Sequence, residues 1–415
     1  MTAGPGSPLH RRAFPFLPVD PDRHGTAIEA PPDWRRALPR EAGTLDVVVW
    51  GRLPDARPSS ARDLRLALAR EWALRRIAVV GLDGFRVAGV HRVAAGGLGG
   101  GLRGRIRKAL RAGALVELTR LPAGERVLDA VLTAADARLT EATLGFGSGG
   151  ALIARVARGR AEPGLLRLAE IGAPGDPART GETLELLAGL AVALAPLALG
   201  RGTVAGASWS LESLLPGRRP SRLTPELVRA VAAALAAFPR TEGPALALEA
   251  DLRDIVARVP SRSERTLRLA ESIAAELAAA PAVPAVLRHG DLWTGNLLVD
   301  DGALSGIIDW DAAHPAGVPG SDLVQLVATE LRGRRRHSLG AAFVARPWDS
   351  AEFRVAGADY WPVIGIEPSP RLNELAGLAW WAAEVNGTTS RLPHRATDEH
   401  WLASNVDPVL SALGY

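Results

Sequence analysis

Short apolar stretches alternate with helix-like periodicity in the first third of the chain. Leu45–Trp50 has the β-branched character of a buried strand, and Ala61–Arg76 places apolar residues at helical spacing. The same alternation continues to a helix at Glu125–Ala137. Strands that alternate with helices predict a small α/β domain over residues 45–138. The preceding residues 1–43 are rich in proline, which cannot hold a regular ladder, and we expect a flexible arm there.

The pattern changes after residue 139. Strand-like segments at Thr140–Phe146 and Ala151–Ala157 flank a glycine-rich stretch, and another strand follows at Leu165–Ala169. A helix is predicted near Gly181–Ala195. Residues 140–215 therefore predict a small β-rich lobe, and residues 216–415 a larger lobe that is mostly helical. The fold class predicted for the whole chain is α+β.

Composition excludes several kinds of chemistry. The 415 residues contain no cysteine, which rules out disulfides, thiolate nucleophiles, cysteine-ligated zinc and iron–sulfur clusters. Lys108 is the only lysine, so any role of a lysine must fall to arginine. The net charge is +4 overall, but residues 289–415 hold 16 acidic and 9 basic residues, a net charge of −7. Seven of the 11 tryptophans lie in this acidic part, which argues against a nucleic-acid-binding protein.

No segment has the pattern of a membrane span. The longest apolar run, Leu186–Leu199, has 14 residues and contains Pro196, whereas a span needs about 20 residues. Residues 1–12 lack the apolar core of a secretory signal. We expect a cytoplasmic protein that neither binds nor crosses a membrane; its oligomeric state is left open.

The densest group of polar residues lies between 289 and 311. His289-Gly-Asp-Leu-Trp-Thr-Gly-Asn296 precedes an apolar strand, and Ile307-Ile-Asp-Trp-Asp311 ends a second strand after an Asp-Asp-Gly turn. A hairpin would bring Asp291, Asn296 and Asp309 together, because paired strands lie about 4.8 Å apart. Carboxylate and amide oxygens are hard ligands that suit Mg²⁺ and do not suit zinc. A polar hairpin in which these residues only cap turns is the alternative.

Together, these two motifs resemble those of the aminoglycoside phosphotransferase and choline kinase group. The resemblance covers residues 140–415 and implies a bilobal fold similar to that of protein kinases. It implies that Asp291 accepts the proton of the acceptor hydroxyl and that His289 braces the catalytic loop. It also implies that Asn296 and Asp309 hold Mg²⁺ and that Asp322 caps the next helix and ties the loop down.

The resemblance also implies a nucleotide site in the small lobe, for ATP or GTP. Backbone amides of Gly147, Ser148 and Gly149 would cover the phosphates, and Arg167 stands where protein kinases have lysine. Arginine can bind phosphate in bidentate fashion and can serve there. Glu182 is the expected partner of Arg167, with Glu185 as the alternative. The hinge that would pair with adenine includes Glu212 and Leu214.

The acceptor site is implied to lie between the catalytic loop and the C-terminal helices. Asp311, beside the metal site, is a candidate contact, as are six residues further along the chain: Asp359, Trp361, Trp380, Trp381, Glu384 and Asn386. Tryptophan faces stack on sugars and cations, and the net charge of −7 suits a cationic or polyhydroxylated acceptor. Tryptophan at helical spacing is equally typical of a core.

The function implied is a small-molecule kinase that transfers the γ-phosphate of ATP or GTP to a hydroxyl of a sugar, aminosugar, aminoglycoside-like compound or amino alcohol. A catalytically weak pseudokinase that serves as a nucleotide-binding scaffold is the alternative, and only the arginine at position 167 favours it. A metal-dependent hydrolase would lack the usual histidine cluster and would leave the β-rich lobe unexplained.

Overall fold

The computed structural model describes most of the chain from residue 126 to its end. The gaps are residues 141–142, 147–150, 160–161, 174–175, 191, 239, 280–283 and 336, and before residue 126 only residues 11, 14–17, 19 and five short strands are described. The chain divides into two compact units. The first comprises Met1–Glu185 and Leu197–Leu214, and the second comprises Leu186–Pro196 and Leu215–Tyr415.

The first unit is dominated by β-structure. Four strands pair in the order β1-β2-β5-β3, and a larger sheet has the order β10-β11-β9-β8-β7-β4, with β6 pairing with β8. Its elements are β1 Gly25–Glu29, β2 Asp46–Gly51, β3 Arg76–Val79, β4 Arg92–Ala95, β5 Ala114–Thr119, α1 Val127–Ala134, β6 Ala137–Leu139, β7 Thr143–Phe146, β8 Leu152–Arg158, β9 Glu162–Glu170, α2 Pro177–Gly189, β10 Ala198–Val204 and β11 Ala207–Ser213.

The centre of the larger sheet follows the two-residue period of a strand. Leu166 and Leu168 on β9 are fully buried, and Arg167 between them points to the opposite face. Strand β11 pairs antiparallel with β9, so Arg167 lies opposite Ser210. The turn between β10 and β11 has positive φ at both Ala205 and Gly206, the two-residue turn whose twist matches that of antiparallel strands.

The predicted boundary near residue 139 does not coincide with a division of the structure. β6 pairs with β8 through Ala137↔Arg158, and α1 contacts β6, β10 and β11. Val127, Leu128 and Val131 of α1 are buried. The residues of α1 fall within the predicted α/β domain over 45–138, but in the structure they pack against the larger sheet. Most of the predicted arm and of residues 45–125 lies outside the described residues.

The second unit is mainly helical and carries two small sheets. β12 Arg240–Pro244, β13 Pro284–Arg288 and β16 His314–Gly317 pair in the order β12-β13-β16, and β14 Leu297–Asp300 forms a hairpin with β15 Ala303–Ile307. The helices are α3 Pro225–Ala236, α4 Ala247–Arg258, α5 Ser263–Ala279, α6 Ser321–Arg335, α7 Leu339–Val344, α8 Ala351–Ile364, α9 Pro370–Arg391, α10 Glu399–Asn405 and α11 Asp407–Ala412.

Helix α9 runs through the centre of the second unit. It packs against α4 and α6 and buries two adjacent tryptophans, Trp380 and Trp381. The sheet-rich first unit and the helical second unit confirm the predicted α+β architecture. None of the helices in the described part of the chain is long and apolar enough to cross a membrane.

The burial of α1 predicts a stability effect. Leu128 is 1% exposed, so Leu128→Ala should lower the free energy of unfolding of the first unit by about 2–4 kcal/mol through lost burial and a residual cavity. Thr133→Ala, on the exposed face of the same helix, is the matched control and should change it by less than about 0.5 kcal/mol. Denaturant unfolding of the full chain measures both. Equal effects of the two substitutions would mean that α1 does not belong to this core.

Candidate active site

The segment with the densest polar residues connects β13 to β14 in the second unit. Gly290 adopts φ +81°, a left-handed conformation that favours glycine. A Cβ atom at this position would lie 2.3 Å from the carbonyl oxygen of Ala312. Glycine therefore lets the loop that carries Asp291 approach closely the segment that follows Asp309.

A buried carboxylate at the start of α6 fixes the first part of this loop. Asp322 accepts the backbone N–H of His289 at 2.7 Å and that of Gly290 at 2.9 Å. Each bond joins a charged acceptor to a backbone donor, which makes it stronger than a neutral one. The structure thus places Asp322 where it holds the backbone of this loop, as expected of a residue that ties the loop down.

Gln325, one turn further along α6, holds the next part of the loop. Its Oε1 accepts the N–H of Leu292 at 2.8 Å, and its Nε2 donates to the carbonyl of Gly290 at 3.2 Å. The same Nε2 donates to Glu384 Oε1 at 3.1 Å. Sequence reasoning missed Gln325, although its spacing of three residues from Asp322 places both on one face of the helix. Glu384, predicted to contact the acceptor, instead supports the residue that holds the loop.

His289 contacts both the loop of Asp291 and the segment before Asp309, and these partners indicate its protonation. The ring is fully buried, its Nδ1 accepts the N–H of Asp291 at 3.2 Å, and its Nε2 lies 3.1 Å from the carbonyl oxygen of Ile308. A neutral ring that carries its proton on Nε2 satisfies both contacts. Burial lowers the pKa of His289, although the nearby Asp322 opposes this, and the neutral form is therefore favoured.

Asn296 connects the two motifs. Its Nδ2 donates to the backbone carbonyl of Asp291 at 2.8 Å and to the Asp291 carboxylate at 3.2 Å. Its own backbone carbonyl accepts the N–H of Ile308, the residue before Asp309, at 2.9 Å. Asn296 is thus hydrogen bonded both to Asp291 and to the residue before Asp309.

The oxygen donors of this site fit Mg²⁺ in chemical type. Nδ2 of Asn296 is the atom that bonds Asp291, which leaves Oδ1 as the acceptor that a cation would use. Asp309 adds a carboxylate and has left-handed backbone angles, φ 70° and ψ 57°. No cluster of three or more His, Asp or Glu side chains with metal-ligand geometry occurs among the described residues. Asn296 and Asp309 would together offer one amide and one carboxylate oxygen, a small set that suits a cation that keeps several waters.

Arg219 lies near Asp309, a neighbour that sequence reasoning missed. The preceding segment is held on the β14–β15 hairpin, because the backbone of Arg218 pairs with Val299 in both directions and Ser305 Oγ donates to the carbonyl of Pro216. Partial burial lowers the pKa of Arg219, and the charge of Asp309 opposes the shift. A guanidinium is therefore close to the carboxylate that would hold the metal.

In the structure, Arg167 pairs with Glu212 and not with the predicted Glu182. Arg167 Nη2 lies 3.4 Å from Glu212 Oε1, and both side chains are almost fully buried. Glu182 instead pairs with Arg201 at 3.2 Å, and Glu185 contacts the same arginine at 3.0 Å. The expected ion pair between Arg167 and Glu182 is wrong because this face of α2 meets Arg201 on β10. Glu212 reaches Arg167 from the neighbouring strand, where residues displaced by two positions share a face.

Other predicted nucleotide contacts are only partly described. Gly147, Ser148 and Gly149 lie outside the described residues, although β7 and β8 pair antiparallel on either side of them, with Phe146 opposite Leu152. Leu214 directly follows β11, and Glu212 lies within that strand.

The predicted stacking surface for an acceptor is not present at the tryptophans. Trp381 is 0% exposed and donates through Nε1 to the backbone carbonyl of Asn405 at 2.8 Å. Trp380 and Trp361 are also buried. Aromatic residues here pack the core of the second unit, and the prediction that Trp381 binds the acceptor is wrong for this reason.

The polar acceptor candidates are dispersed. Asp359 lies 3.9 Å from Arg229 in an exposed ion pair, and Asn386 donates to Asp251 at 3.0 Å. Asp311 is exposed and follows Asp309 by two residues. Of these, only Asp311 stays close to the catalytic loop, where its charge acts on His289.

Comparison with known families agrees with this geometry. The family model "Phosphotransferase enzyme family" matches residues 147–355, about half of the chain. The chain belongs to the phosphotransferase enzyme family. The resemblance predicted from the two motifs is confirmed, and the chain is a phosphotransferase that acts on hydroxyl groups of small molecules. A search of curated protein sequences gives no significant match.

Several solved structures are similar to this phosphotransferase. Aminoglycoside phosphotransferase APH(3'')-Id from Streptomyces rimosus, in complex with ADP and streptomycin, is 19% identical; the match covers 57% of this chain and 93% of that chain, with a TM-score of 0.38. Macrolide 2'-phosphotransferase MphH from Brachybacterium faecium is 20% identical, with coverages of 66% and 95% and a TM-score of 0.41. A glucosamine kinase bound to glucosamine, ADP and inorganic phosphate is 22% identical, with coverages of 72% and 87% and a TM-score of 0.35. At such low similarity, the substrates of these proteins are not transferred to this chain.

The buried neutral His289 predicts a pH dependence of stability. Its pKa is lowered in the folded state, so below the ordinary value of about 6.5 the unfolded chain binds a proton that the folded chain does not. Stability should therefore fall as the pH drops below about 6.5, with a contribution from this residue of up to about 1.4 kcal/mol per pH unit. In His289→Asn the slope should be shallower than in the wild type. Urea unfolding between pH 5 and 8 measures it, and parallel curves for the two proteins would contradict the assignment.

Proposed function

We propose that this phosphotransferase transfers the γ-phosphoryl group of ATP or GTP to a hydroxyl of a small-molecule acceptor, with Asp291 as the general base. The observation that carries the proposal is the network around the loop of Asp291. Asp322 and Gln325 hold its backbone, and Asn296 bonds its carboxylate. A base that is held in this way loses little freedom when the acceptor binds, which favours catalysis by positioning.

The reaction that this site would support is a direct displacement. The acceptor oxygen forms a bond to the γ-phosphorus, the bond from that phosphorus to the bridging oxygen of the nucleoside diphosphate breaks, and the hydroxyl proton passes to Asp291. Asn296 and Asp309 would hold Mg²⁺, which neutralises charge on the phosphates when it is bound. Arg219, close to Asp309, adds positive charge to the same region.

The first unit would supply nucleotide contacts. Arg167 is fixed by Glu212, and a guanidinium can grip two phosphate oxygens at once. The backbone near Glu212 and Leu214 would pair with the base, and the loop at Gly147, Ser148 and Gly149 would cover the phosphates. The scaffold alternative has less support, because Asp291, Asn296 and Asp309 are all present and the catalytic loop is fully braced.

Removing the base tests the reaction. Asp291→Asn should lower kcat by roughly 10²–10⁴, since the amide cannot accept the proton, while the affinity for nucleotide changes little. Asp301→Asn, in the exposed turn between β14 and β15, is the matched control and should retain wild-type kcat. Nucleotide consumption with a panel of hydroxylated acceptors gives kcat, and fluorescent-nucleotide binding gives the affinity. A variant that keeps kcat but loses nucleotide binding would overturn the role of Asp291.

Substitutions around Arg167 test the nucleotide site. Arg167→Ala removes a charge-assisted contact of about 1.5–3 kcal/mol, so the kcat/KM for ATP should fall by roughly 10- to 150-fold. Arg167→Lys should recover part of this loss, because lysine supplies the charge without the planar fork. Glu212→Gln should shift the KM in the same direction as Arg167→Ala, since Glu212 orients the guanidinium.

Glu182→Gln is the control for this series. Its side chain is 59% exposed and contacts Arg201, so the KM for ATP should remain at the wild-type value. A larger effect at Glu182 than at Glu212 would restore the originally predicted pair and contradict the arrangement in the structure.

A further inference from the structure

The second unit contains a cavity between α3, α6 and α8, and α6 is the helix that holds the loop of Asp291. Its volume is about 350 Å³, within the usual range for small-molecule sites. Leu223 and Val228 form one wall, Val327 and Leu331 of α6 form another, and Val355 of α8 closes it. Most of the lining is thus apolar, and Thr224, Glu330 and Glu352 are its polar members.

Helix α6 connects this cavity to the catalytic loop. Its residue Glu330, which lines the cavity, accepts a hydrogen bond from Thr294 Oγ1 at 3.1 Å. Thr294 follows Asp291 by three residues. Gln325, which holds Leu292, precedes Glu330 by five residues on the same helix, a distance of about 7.5 Å along its axis. A molecule bound in the cavity would therefore lie against Glu330, whose hydrogen-bond partner Thr294 belongs to the loop that carries Asp291.

Two of the three polar residues at the cavity have partners within the protein. Thr224 Oγ1 accepts the N–H of Leu227 and caps α3, and Glu330 accepts from Thr294. Glu352 lies on the exposed start of α8. Against the aliphatic walls, a ligand rich in hydroxyl groups would lose its hydration, whereas an apolar group would gain burial. The two glutamates lie where a polar end of the same ligand would be held.

We infer that this cavity is the acceptor site and that it selects a hydroxylated small molecule with an apolar body. This inference rests on the proposed function. The apolar part of the acceptor lies against Val228, Val327 and Val355, and its hydroxyl extends past Glu330 and Thr294 toward Asp291. The acceptor class is therefore amphipathic, in contrast to the cationic or polyhydroxylated class suggested by the net charge of this part of the chain.

Binding of linear alkanols to the full chain, without nucleotide, tests the cavity separately from catalysis. Along the series from butanol to octanol, the dissociation constant should fall by up to about fourfold for each added CH₂ group. Val355→Trp should weaken octanol binding by about tenfold or more, because the indole fills the cavity. Val363→Trp is the matched control, since Val363 lies on the same helix, is 56% exposed and does not line the cavity; it should bind octanol like the wild type.

Steady-state kinetics supply the second measurement. With a turned-over acceptor of this class, Val355→Trp should raise the KM for the acceptor by about tenfold or more and leave the KM for ATP unchanged, since the cavity does not include the proposed nucleotide contacts. Val363→Trp should leave both constants unchanged.

Three results would overturn the inference. One is an absence of alkanol binding, or binding without dependence on chain length. Another is equal octanol binding by the wild type and Val355→Trp. The third is binding of glucosamine to the wild type that Val355→Trp abolishes, which would show that the cavity takes a polar sugar. Because alkanol binding is measured without ATP, each of these results is distinct from a failure of phosphoryl transfer, which Asp291→Asn tests.

Discussion

The conformation of the loop that carries Asp291 depends on one carboxylate, that of Asp322. This carboxylate accepts hydrogen bonds from the backbone N–H groups of His289 and Gly290. The loop turns sharply at Gly290, and a turn of this kind leaves backbone donors that the strands on either side cannot satisfy. Buried in the second unit, such donors would cost about 1–3 kcal/mol each without a partner. The side chain of Asp322 satisfies two of these backbone donors. Because Asp322 lies in the first turn of α6, it also positions the loop relative to that helix.

Helix α6 then acts as a support along the length of the loop. Asp322, Gln325 and Glu330 contact successive loop residues, so the order of contacts along the helix follows the order of residues along the loop. The opposite end of the site is fixed differently, because Asn296 bonds Asp291 through its side chain and Ile308 through its backbone. Asp291, Asn296 and the segment before Asp309 are therefore held by one helix and one asparagine of the second unit.

These local relations explain which features could be predicted from the sequence. Asp291, Asn296 and Asp309 lie within 19 residues of one another, and a hairpin between them leaves few alternative arrangements. The partners of helical residues could not be predicted in the same way, because they depend on the rotation of the helix. Glu182 lies on the expected helix but contacts Arg201, and Trp381 lies on the expected helix but points into the core. Strand pairing likewise crosses the predicted boundary near residue 139, since β6 pairs with β8, which follows that boundary in the sequence.

The net charge of residues 289–415 is equally insufficient for predicting the acceptor. A net charge of −7 suggested a cationic acceptor, but many of these carboxylates have structural partners. Asp322 holds the catalytic loop, Asp398 caps α10 by accepting the N–H of Trp401, and Asp407 pairs with Arg262 at 2.8 Å. A carboxylate that is engaged in this way has its charge compensated within the protein and adds little to ligand selection. In the acceptor cavity that we propose, selection would then depend on the aliphatic side chains that form most of the lining, together with Glu330 and Glu352.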